Sequence, residues 1–240
     1  MLSPYGMEIV ESCLTCKLRA DRIFCDLPAT ALHAFESIKY ATAYPQGAVL
    51  FVEGQLPRGI FVLCKGSVKL SINSPNGRTM IVKLAEPGEV LGLSATISGK
   101  PYEVTAETLD PCQVNFVKRD DFLRFLKDDV EACFKVAEQL SDKYHTACQE
   151  VRSLGLSHSA AEKLANLLLE WSCKNGESSK AEPRLKLRLT HEEIAQMIGT
   201  SRETVTRLFA EMKRRQIVQS KGSTLLIRNT AALREIANHN

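Results

Sequence analysis

The sequence predicts an α+β protein in three parts: an N-terminal antiparallel β-barrel, a long central helix and a C-terminal winged helix-turn-helix. Short β-branched runs between glycine and proline turns fill residues 44–117, which is typical of a sandwich or barrel. Apolar residues then recur in steps of four and three over residues 133–154, which indicates one long helix. Two short amphipathic stretches flank Gly199, and a pair of β-branched runs follows them.

The first 128 residues divide into an arm, residues 1–30, and the barrel domain, residues 31–128. The arm contains three cysteines and shows little hydrophobic periodicity. A short helix is predicted over residues 31–40 at the start of the barrel domain. The strands are predicted at Val49–Val52, Ile60–Leu63, Val68–Ile72, Met80–Leu84 and Val114–Val117. Residues 118–127 then lead into the long helix.

Residues 129–155 are predicted to form a dimerisation helix. Its apolar seam consists of Cys133, Ala137, Leu140, Tyr144, Ala147, Val151 and Leu154. Three heptads of this kind favour a two-stranded coiled coil, and therefore a homodimer. The alternative is that the stripe packs on the barrel of its own chain.

Residues 156–240 are predicted to form the winged helix-turn-helix. A helix over residues 157–173, a surface loop over 174–183 and a strand over 184–189 precede the two amphipathic helices. Gly199 ends the first of these helices, where a left-handed backbone is favourable for glycine. Ser201 or Thr200 is a suitable N-cap for the second. Strands at 217–220 and 224–228 form the wing, and residues 231–237 form a last helix.

The second amphipathic helix turns its polar side chains away from its apolar stripe. Arg202, Glu203, Thr206 and Arg207 make up this exposed set. Arginine binds guanine O6 and N7 bidentately, and glutamate accepts a hydrogen bond from cytosine N4. We therefore predict that the set reads bases in the major groove of double-stranded DNA. Ser201 and Lys221 are predicted to contact phosphates.

Composition and charge narrow the function classes. The formal net charge is +3, and residues 156–240 carry +5 of charge against −2 for residues 1–155, which favours a nucleic-acid partner for the C-terminal part. No apolar run approaches the length of a membrane span and no signal segment begins the chain, so a cytoplasmic protein without a membrane partner is expected. Neither a nucleophile–base pair nor a phosphate-binding loop motif is visible, which argues against an enzyme.

The order of these parts resembles that of the CRP/FNR family of transcription regulators. The resemblance covers residues from about 40 to 235 and rests on Gln46-Gly47, Glu53-Gly54, Gly66, Gly77, Pro87-Gly88-Glu89 and Arg202-Glu203-Thr204-Val205-x-Arg207. It implies a double-stranded β-helix like that of cyclic-nucleotide-binding domains, a dimer on a two-fold symmetric site, and RNA polymerase as a partner. In this resemblance Arg202, Glu203 and Arg207 match the positions that read a TGTGA-type half-site.

The resemblance also implies candidates for the signal. The branch that binds cyclic AMP carries an Arg-Ser pair for the phosphate where this chain has Tyr102-Glu103, so cyclic AMP is disfavoured. The FNR-like branch holds a [4Fe-4S] cluster with three arm cysteines and one barrel cysteine. Cys13, Cys16 and Cys25 match the arm ligands, with a longer second gap, and Cys112 matches the barrel ligand.

Three alternatives remain open. Zinc is suited to the same four thiolates, and the arm cysteines are suited to a reversible disulfide. A small molecule in the barrel is the other alternative, in which the cysteines have structural roles.

Overall fold

The computed structural model describes residues 4–7, 9–16, 19, 25–155, 159–174, 184–186, 189–221 and 224–238. The chain separates into two compact units, Met1–Cys148 and Gln149–Asn240. The first contains a β-barrel and the second a winged helix-turn-helix, so the predicted α+β architecture is confirmed. Within the described ranges, no helix has both the length and the apolar character that crossing a bilayer requires.

The barrel consists of two four-stranded antiparallel sheets, ordered β1-β8-β3-β6 and β2-β7-β4-β5. The strands are β1 (Lys39–Tyr44), β2 (Val49–Phe51), β3 (Gly59–Lys65), β4 (Val68–Asn73), β5 (Thr79–Ala85), β6 (Val90–Leu91), β7 (Thr105–Thr108) and β8 (Cys112–Lys118). A turn of 3₁₀ helix over Pro4–Gly6 and helices α1 (Ala29–Ile38), α2 (Leu93–Ser98) and α3 (Arg119–Asp128) accompany them.

Side chains of β3 and β8 alternate between two hydrophobic cores, as the period of two in a strand requires. Phe61 and Leu63 join the core between the two sheets. Ile60, Val62 and Val117 join a second core on the other face of the sheet, which also contains side chains from α1, α3 and the long helix α4 (Val130–Gly155). Cys13, Leu14 and Cys25 of the arm also pack against this second core, which therefore connects the barrel, the arm and α4.

Several elements of the barrel differ from the sequence prediction. The first helix ends at Ile38 instead of residue 40, because Lys39–Tyr44 pairs along its whole length with Cys112–Lys118 as β1. Strands β6 and β7 were not predicted. The sequence of β7 is Thr-Ala-Glu-Thr, which contains no run of β-branched apolar residues from which a strand could be predicted. Only Ala106 and Thr108 of this strand are buried.

Helix α4 is long, as predicted, and one of its faces packs on the barrel. Ala132 and Val136 belong to the second core, and Lys143 Nζ donates a hydrogen bond to the Val90 carbonyl at 2.7 Å. Burial lowers the pKa of Lys143 to about 8. The N-terminal half of α4 is thus fixed to the barrel.

The second unit is a helical bundle with a three-stranded antiparallel sheet, ordered β10-β11-β9. Its elements are α5 (Ala160–Lys174), β9 (Arg184–Lys186), α6 (His191–Ile198), α7 (Arg202–Arg214), β10 (Val218–Lys221), β11 (Thr224–Ile227) and α8 (Thr230–Ala237). The predicted loop beyond residue 174 lies outside the described residues. So do Gly222, which follows β10 in the sequence, and residues 187–188 of the predicted strand.

Candidate nucleic-acid interface and cysteine cavity

Local capping fixes the two helices of the helix-turn-helix. Thr190 and Glu193 form a reciprocal capping box at the start of α6. Gly199 ends α6 in the left-handed conformation, with φ of 68°. Ser201 caps α7, since its side chain accepts a hydrogen bond from the Thr204 amide at 3.2 Å. Of the two candidate caps, Ser201 and Thr200, the structure assigns Ser201.

The polar face of α7 is open to solvent. Val205, Phe209 and Met212 are buried on the opposite side of the helix. The six predicted DNA-contacting residues are all exposed: Ser201, Arg202, Glu203, Thr206, Arg207 and Lys221. Hydrogen bonds from its own amide and from Ser201 lower the pKa of Glu203, so this side chain is an ionised acceptor at neutral pH. The face offers the donors and the acceptor that base edges require.

His191 connects the two helices of the motif, a role that sequence analysis did not assign. Its Nδ1 lies 2.9 Å from Thr206 Oγ1, and its ring stacks on Phe209 with centroids 5.1 Å apart. Burial, followed by the positive charges of Lys213 and Arg202, lowers the pKa of His191. A neutral imidazole therefore holds one side chain of the exposed face in place.

The predicted seam of α4 is largely exposed in the single chain. Cys133, Ala137, Tyr144, Ala147 and Val151 are exposed, and the side chain of Leu154 lies outside what the structure describes. Leu140 differs from the prediction, because it is half-buried and packs against the second core. Val130 and Phe134, which the prediction missed, are 84% and 59% exposed. With Tyr144, which is also exposed, they form an apolar surface on the first unit, which we call the α4 seam.

The three arm cysteines line one cavity beside the barrel. Cys13, Cys16 and Cys25 share it with Arg19 of the arm, and its volume is about 30 Å³. Its walls are formed by Val10, Leu27, Leu32, Phe35, Val62, Cys64 and Asn115. The fourth thiol in this cavity is that of Cys64, which the sequence analysis did not name as a candidate ligand.

Hydrogen bonds between three pairs of residues hold the arm at this cavity. The Cys13 amide donates to Glu36 Oε1 at 2.9 Å, and Lys39 Nζ donates to the Glu11 carbonyl at 2.7 Å. Val10 pairs with the side chain of Gln113 through both its amide and its carbonyl, at 2.8 and 2.6 Å. Burial raises the pKa of Cys13, against a smaller opposite effect of Lys39.

Cys112, the predicted barrel ligand, lies on the other face of the sheet. It is fully buried in the core between the sheets, and its thiol donates to the carbonyls of Ser67 and Asp110 at 3.3 and 3.1 Å. Burial raises its pKa to about 11. The structure thus brings together three of the four predicted cluster cysteines and places the fourth elsewhere, because β8 turns alternate side chains to opposite faces.

The thiols of the cavity are not arranged as a preformed metal site. Among the residues that the structure describes, no three His, Cys, Asp or Glu side chains are close enough together to hold a metal ion as they stand. The donor types still suit a thiophilic metal, since four cysteines are the usual ligands of both zinc and iron–sulfur clusters.

In the resemblance described above, Tyr102 stands at the barrel position that carries the phosphate-binding arginine of the cyclic-AMP branch. It is 3% exposed, and its ring stacks on Phe51 with centroids 4.1 Å apart. Its hydroxyl donates to the Gly59 carbonyl at 2.9 Å. A β-carbon on Gly92 would come within 2.7 Å of the ring, so the ring packs directly on that backbone.

Two family models match the chain. The cyclic nucleotide-binding domain matches residues 41–129, and the Crp-like helix-turn-helix domain matches residues 162–236. The two matches cover about two thirds of the chain, in the order that the structure shows. The chain belongs to the CRP/FNR family of transcription regulators.

Curated relatives of this CRP/FNR protein include one that is named for activation by cAMP and one that is named for nitrogen fixation. The CRP-like cAMP-activated global transcriptional regulator of Mycobacterium tuberculosis is 24% identical over 211 residues, which are 88% of this chain and 94% of the relative. The nitrogen fixation regulation protein FixK of Bradyrhizobium diazoefficiens is 26% identical over 214 residues, which are 89% and 87% of the two chains. Family membership alone therefore leaves the signal of this protein open.

Solved structures support the fold of this family member. FixK2 from Bradyrhizobium japonicum superposes with a TM-score of 0.73 at 22% identity, covering 85% of this chain and 99% of the other. The c-di-GMP responsive regulator CLP of Xanthomonas campestris also superposes with a TM-score of 0.73, at 17% identity, covering 83% and 99%.

Proposed function

We propose that this protein is a homodimeric, sequence-specific DNA-binding regulator whose DNA affinity responds to oxygen or redox state through cysteine thiolates. The observation that carries the DNA-binding part is the exposed face of α7, on which Arg202, Glu203 and Arg207 stand clear of the buried stripe. A capped helix held by a glycine turn is the geometry that presents such side chains to the major groove.

The proposed target is a two-fold symmetric site with TGTGA-like half-sites, bound by two copies of α7. The half-sites of such a site lie about one helical turn apart. The α4 seam supports the dimer, because an exposed apolar stripe on a 26-residue helix suits a second copy of itself. RNA polymerase is the proposed protein partner.

The proposed sensor is a [4Fe-4S] cluster held in part by Cys13, Cys16 and Cys25. The donor set fits in type, because these thiols share one cavity with a further cysteine. When bound, such a cluster supplies a centre that oxygen degrades and that changes charge with redox state.

The second core provides a route from the arm to the dimer helix. Cys13, Leu14 and Cys25 pack against it, and it also contains Ala132 and Val136 of α4. A displacement of the arm therefore changes the packing beneath the N-terminal half of α4. A coupling of about 1–3 kcal/mol between arm and DNA site is the usual size for such regulation.

A small-molecule switch is the second candidate, and a groove of the barrel favours it. The groove has a volume of about 390 Å³, which is within the usual size range of small-molecule sites. Aromatic side chains and one cation line it, among them Tyr44, Phe61, Arg58 and Phe116. In this case the thiols would have no part in the signal.

Fluorescence anisotropy with labelled duplexes tests the proposal. The duplexes carry an inverted TGTGA repeat, an inverted TTGAT repeat or a scrambled sequence, and the protein is prepared without oxygen and then exposed to air. We expect preference for the TGTGA duplex over the scrambled one by at least about 10³-fold, and a change in affinity on exposure to air. Equal affinity for all three duplexes contradicts sequence-specific binding, and an affinity that air leaves unchanged contradicts the redox part.

A further inference from the structure

We propose that the soft-metal site of this protein is formed by Cys13, Cys16, Cys25 and Cys64, with Cys64 of strand β3 as the barrel ligand in place of Cys112. The inference rests on the thiolate sensor proposed above and names its fourth ligand. It follows from which face of the barrel sheet each cysteine occupies.

The arm lies on one face of the sheet formed by β1, β8, β3 and β6. From β8, Gln113 contacts Val10 of the arm, and the Asn115 Nδ2 atom donates to Cys13 Sγ at 3.7 Å. Side chains of a strand alternate between faces, so Cys112 and Val114 point into the core between the two sheets. Cys112 precedes Gln113 by one residue along β8, and its side chain therefore lies on the face of the sheet opposite to the arm.

Cys64 reaches the arm face from the neighbouring strand. Val62 is the preceding residue of β3 on this face, and both Val62 and Cys64 line the cavity that contains the arm cysteines. The pairing of β3 with β8 shifts register between Leu63 and Lys65, next to Cys64. This irregularity is a common way for a strand to direct one side chain toward a site.

A buried polar atom in the cavity gives independent support. Asn115 lines the cavity and is 2% exposed, and its Oδ1 atom has no hydrogen-bond partner. A buried acceptor without a partner costs free energy, and such atoms are rare in folded proteins, so each one calls for an explanation such as a bound ion or a functional role. The amide of the same side chain already donates to a thiol of the set, as the outer partners of metal-bound thiolates commonly do.

Cys112 is unsuited to the role for reasons of packing. Its thiol hydrogen points to two carbonyl oxygens, those of Ser67 and Asp110. A β-carbon on Gly66 would lie 2.5 Å from its sulfur, so the backbone of the turn between β3 and β4 closes over it. Bringing Cys112 to the arm would require the strand to turn over.

The chemistry of the site is that of a soft metal held by four thiolates. Arg19 lines the same cavity and offsets part of their negative charge. The cavity of about 30 Å³ has room for little more than one water-sized particle. A cluster of several atoms therefore requires the arm, which supplies three of the four thiols, to move outward from Cys64.

The test compares matched variants of the full chain, reconstituted without oxygen with iron and sulfide. The variants are Cys64→Ala and Cys112→Ala, with Cys173→Ala, an exposed cysteine of α5, as the control. Iron, acid-labile sulfide and zinc are measured per protomer, and circular dichroism measures folding. We expect loss of bound metal in Cys64→Ala, and wild-type content in Cys112→Ala and Cys173→Ala. Loss in Cys112→Ala with retention in Cys64→Ala overturns the ligand set.

Thiol footprinting of the wild-type protein decides the case in which both barrel variants lose metal or fail to fold. Alkylation with and without a chelator is followed by mass spectrometry. We expect the chelator to increase labelling of Cys13, Cys16, Cys25 and Cys64, while labelling of Cys112 stays low in both. Labelling of Cys64 that does not depend on the chelator overturns the proposal.

The same measurements separate this inference from the proposed function. If the wild-type protein binds zinc instead of iron and sulfide, and Cys64→Ala loses that zinc, the result supports the ligand set and contradicts the cluster. Wild-type protein that binds neither metal overturns both the ligand set and the cluster, whereas DNA binding is measured independently.

Discussion

The Nδ1 atom of His191, at the first position of α6, lies 2.9 Å from Oγ1 of Thr206 on the exposed face of α7. The same threonine donates to the carbonyl of Arg202, also at 2.9 Å. A titratable side chain is therefore one hydrogen bond away from the residues proposed to read DNA. This makes the helix-turn-helix sensitive to acid in a way that can be measured.

We predict that protonation of His191 destabilises the DNA-binding unit. The pKa of His191 is lowered in the folded protein, so the unfolded chain binds this proton more tightly. The stabilisation that neutral His191 gives to the folded unit is complete at pH values above about 6.5, the pKa of histidine in the unfolded chain. It is lost as the pH falls toward the lower pKa of His191 in the folded protein. The thermal unfolding temperature should decrease between about pH 7.5 and 5.5, and less so in His191→Gln. The exposed His145→Gln is the control, and identical pH profiles for wild type and His191→Gln would refute the prediction.

Arg202 and Lys221 should differ in what their removal does to DNA binding. Arg202→Ala removes the proposed bidentate base contact and should reduce discrimination at one base pair by about 1–3 kcal/mol. Arg202→Lys keeps the charge without the planar fork, so it should lose the same discrimination and retain more affinity. Lys221→Ala should weaken binding to all DNA sequences equally. It should also reduce the slope of log affinity against log salt concentration by about 1. Affinities for a set of single-base variants of the site give the answer, and a uniform loss in Arg202→Ala would remove its base-reading role.

Local signals explain why the DNA-binding motif was predictable from sequence. Thr190, Gly199 and Ser201 determine where its two helices begin and end, and each acts through atoms within a few residues. The strands with β-branched runs were found for the same reason. Strand β1 was not, since its alternating Lys-Tyr-Ala-Thr-Ala-Tyr becomes a strand only by pairing with distant β8.

The cysteine cavity shows what sequence leaves undetermined. Cys64 and Cys112 both lie in strands and in apolar contexts, and resemblance favoured Cys112. Which thiol faces the arm depends on the pleat and on a register shift between Leu63 and Lys65, and neither is visible in one sequence. Leu140 is a similar case, because its heptad position suggested the seam while tertiary packing turns it to the second core.

Cyclic AMP should not bind tightly to this barrel. Tyr102 fills the space against Phe51 and Gly92, and Glu103 follows it where a phosphate would need a donor. A ligand at 100 times its Kd stabilises a protein by about 2.7 kcal/mol. Millimolar cyclic AMP should therefore leave the thermal unfolding temperature unchanged, as should AMP, the control nucleotide. A rise with cyclic AMP alone would favour the small-molecule switch over the thiol sensor.

The α4 seam should determine the oligomeric state, and one residue pair tests it. Tyr144 is 69% exposed on the seam, whereas Thr146 is exposed two residues later, about 200° around the helix. Tyr144→Asp places a charge in the proposed apolar interface, where an unpaired charge is costly to bury. Thr146→Asp adds the same charge to a face that a two-stranded coil leaves in water.

Sedimentation measurements over a range of protein concentrations should show a dimer for the wild type and for Thr146→Asp. Tyr144→Asp should shift the equilibrium to monomer by at least about tenfold in dissociation constant, the equivalent of 1.4 kcal/mol. Because one protomer offers only one α7, the same variant should also lose affinity for a duplex with two half-sites more than for a single half-site. A dimer of unchanged strength in Tyr144→Asp would show that the two protomers meet through a surface other than the α4 seam.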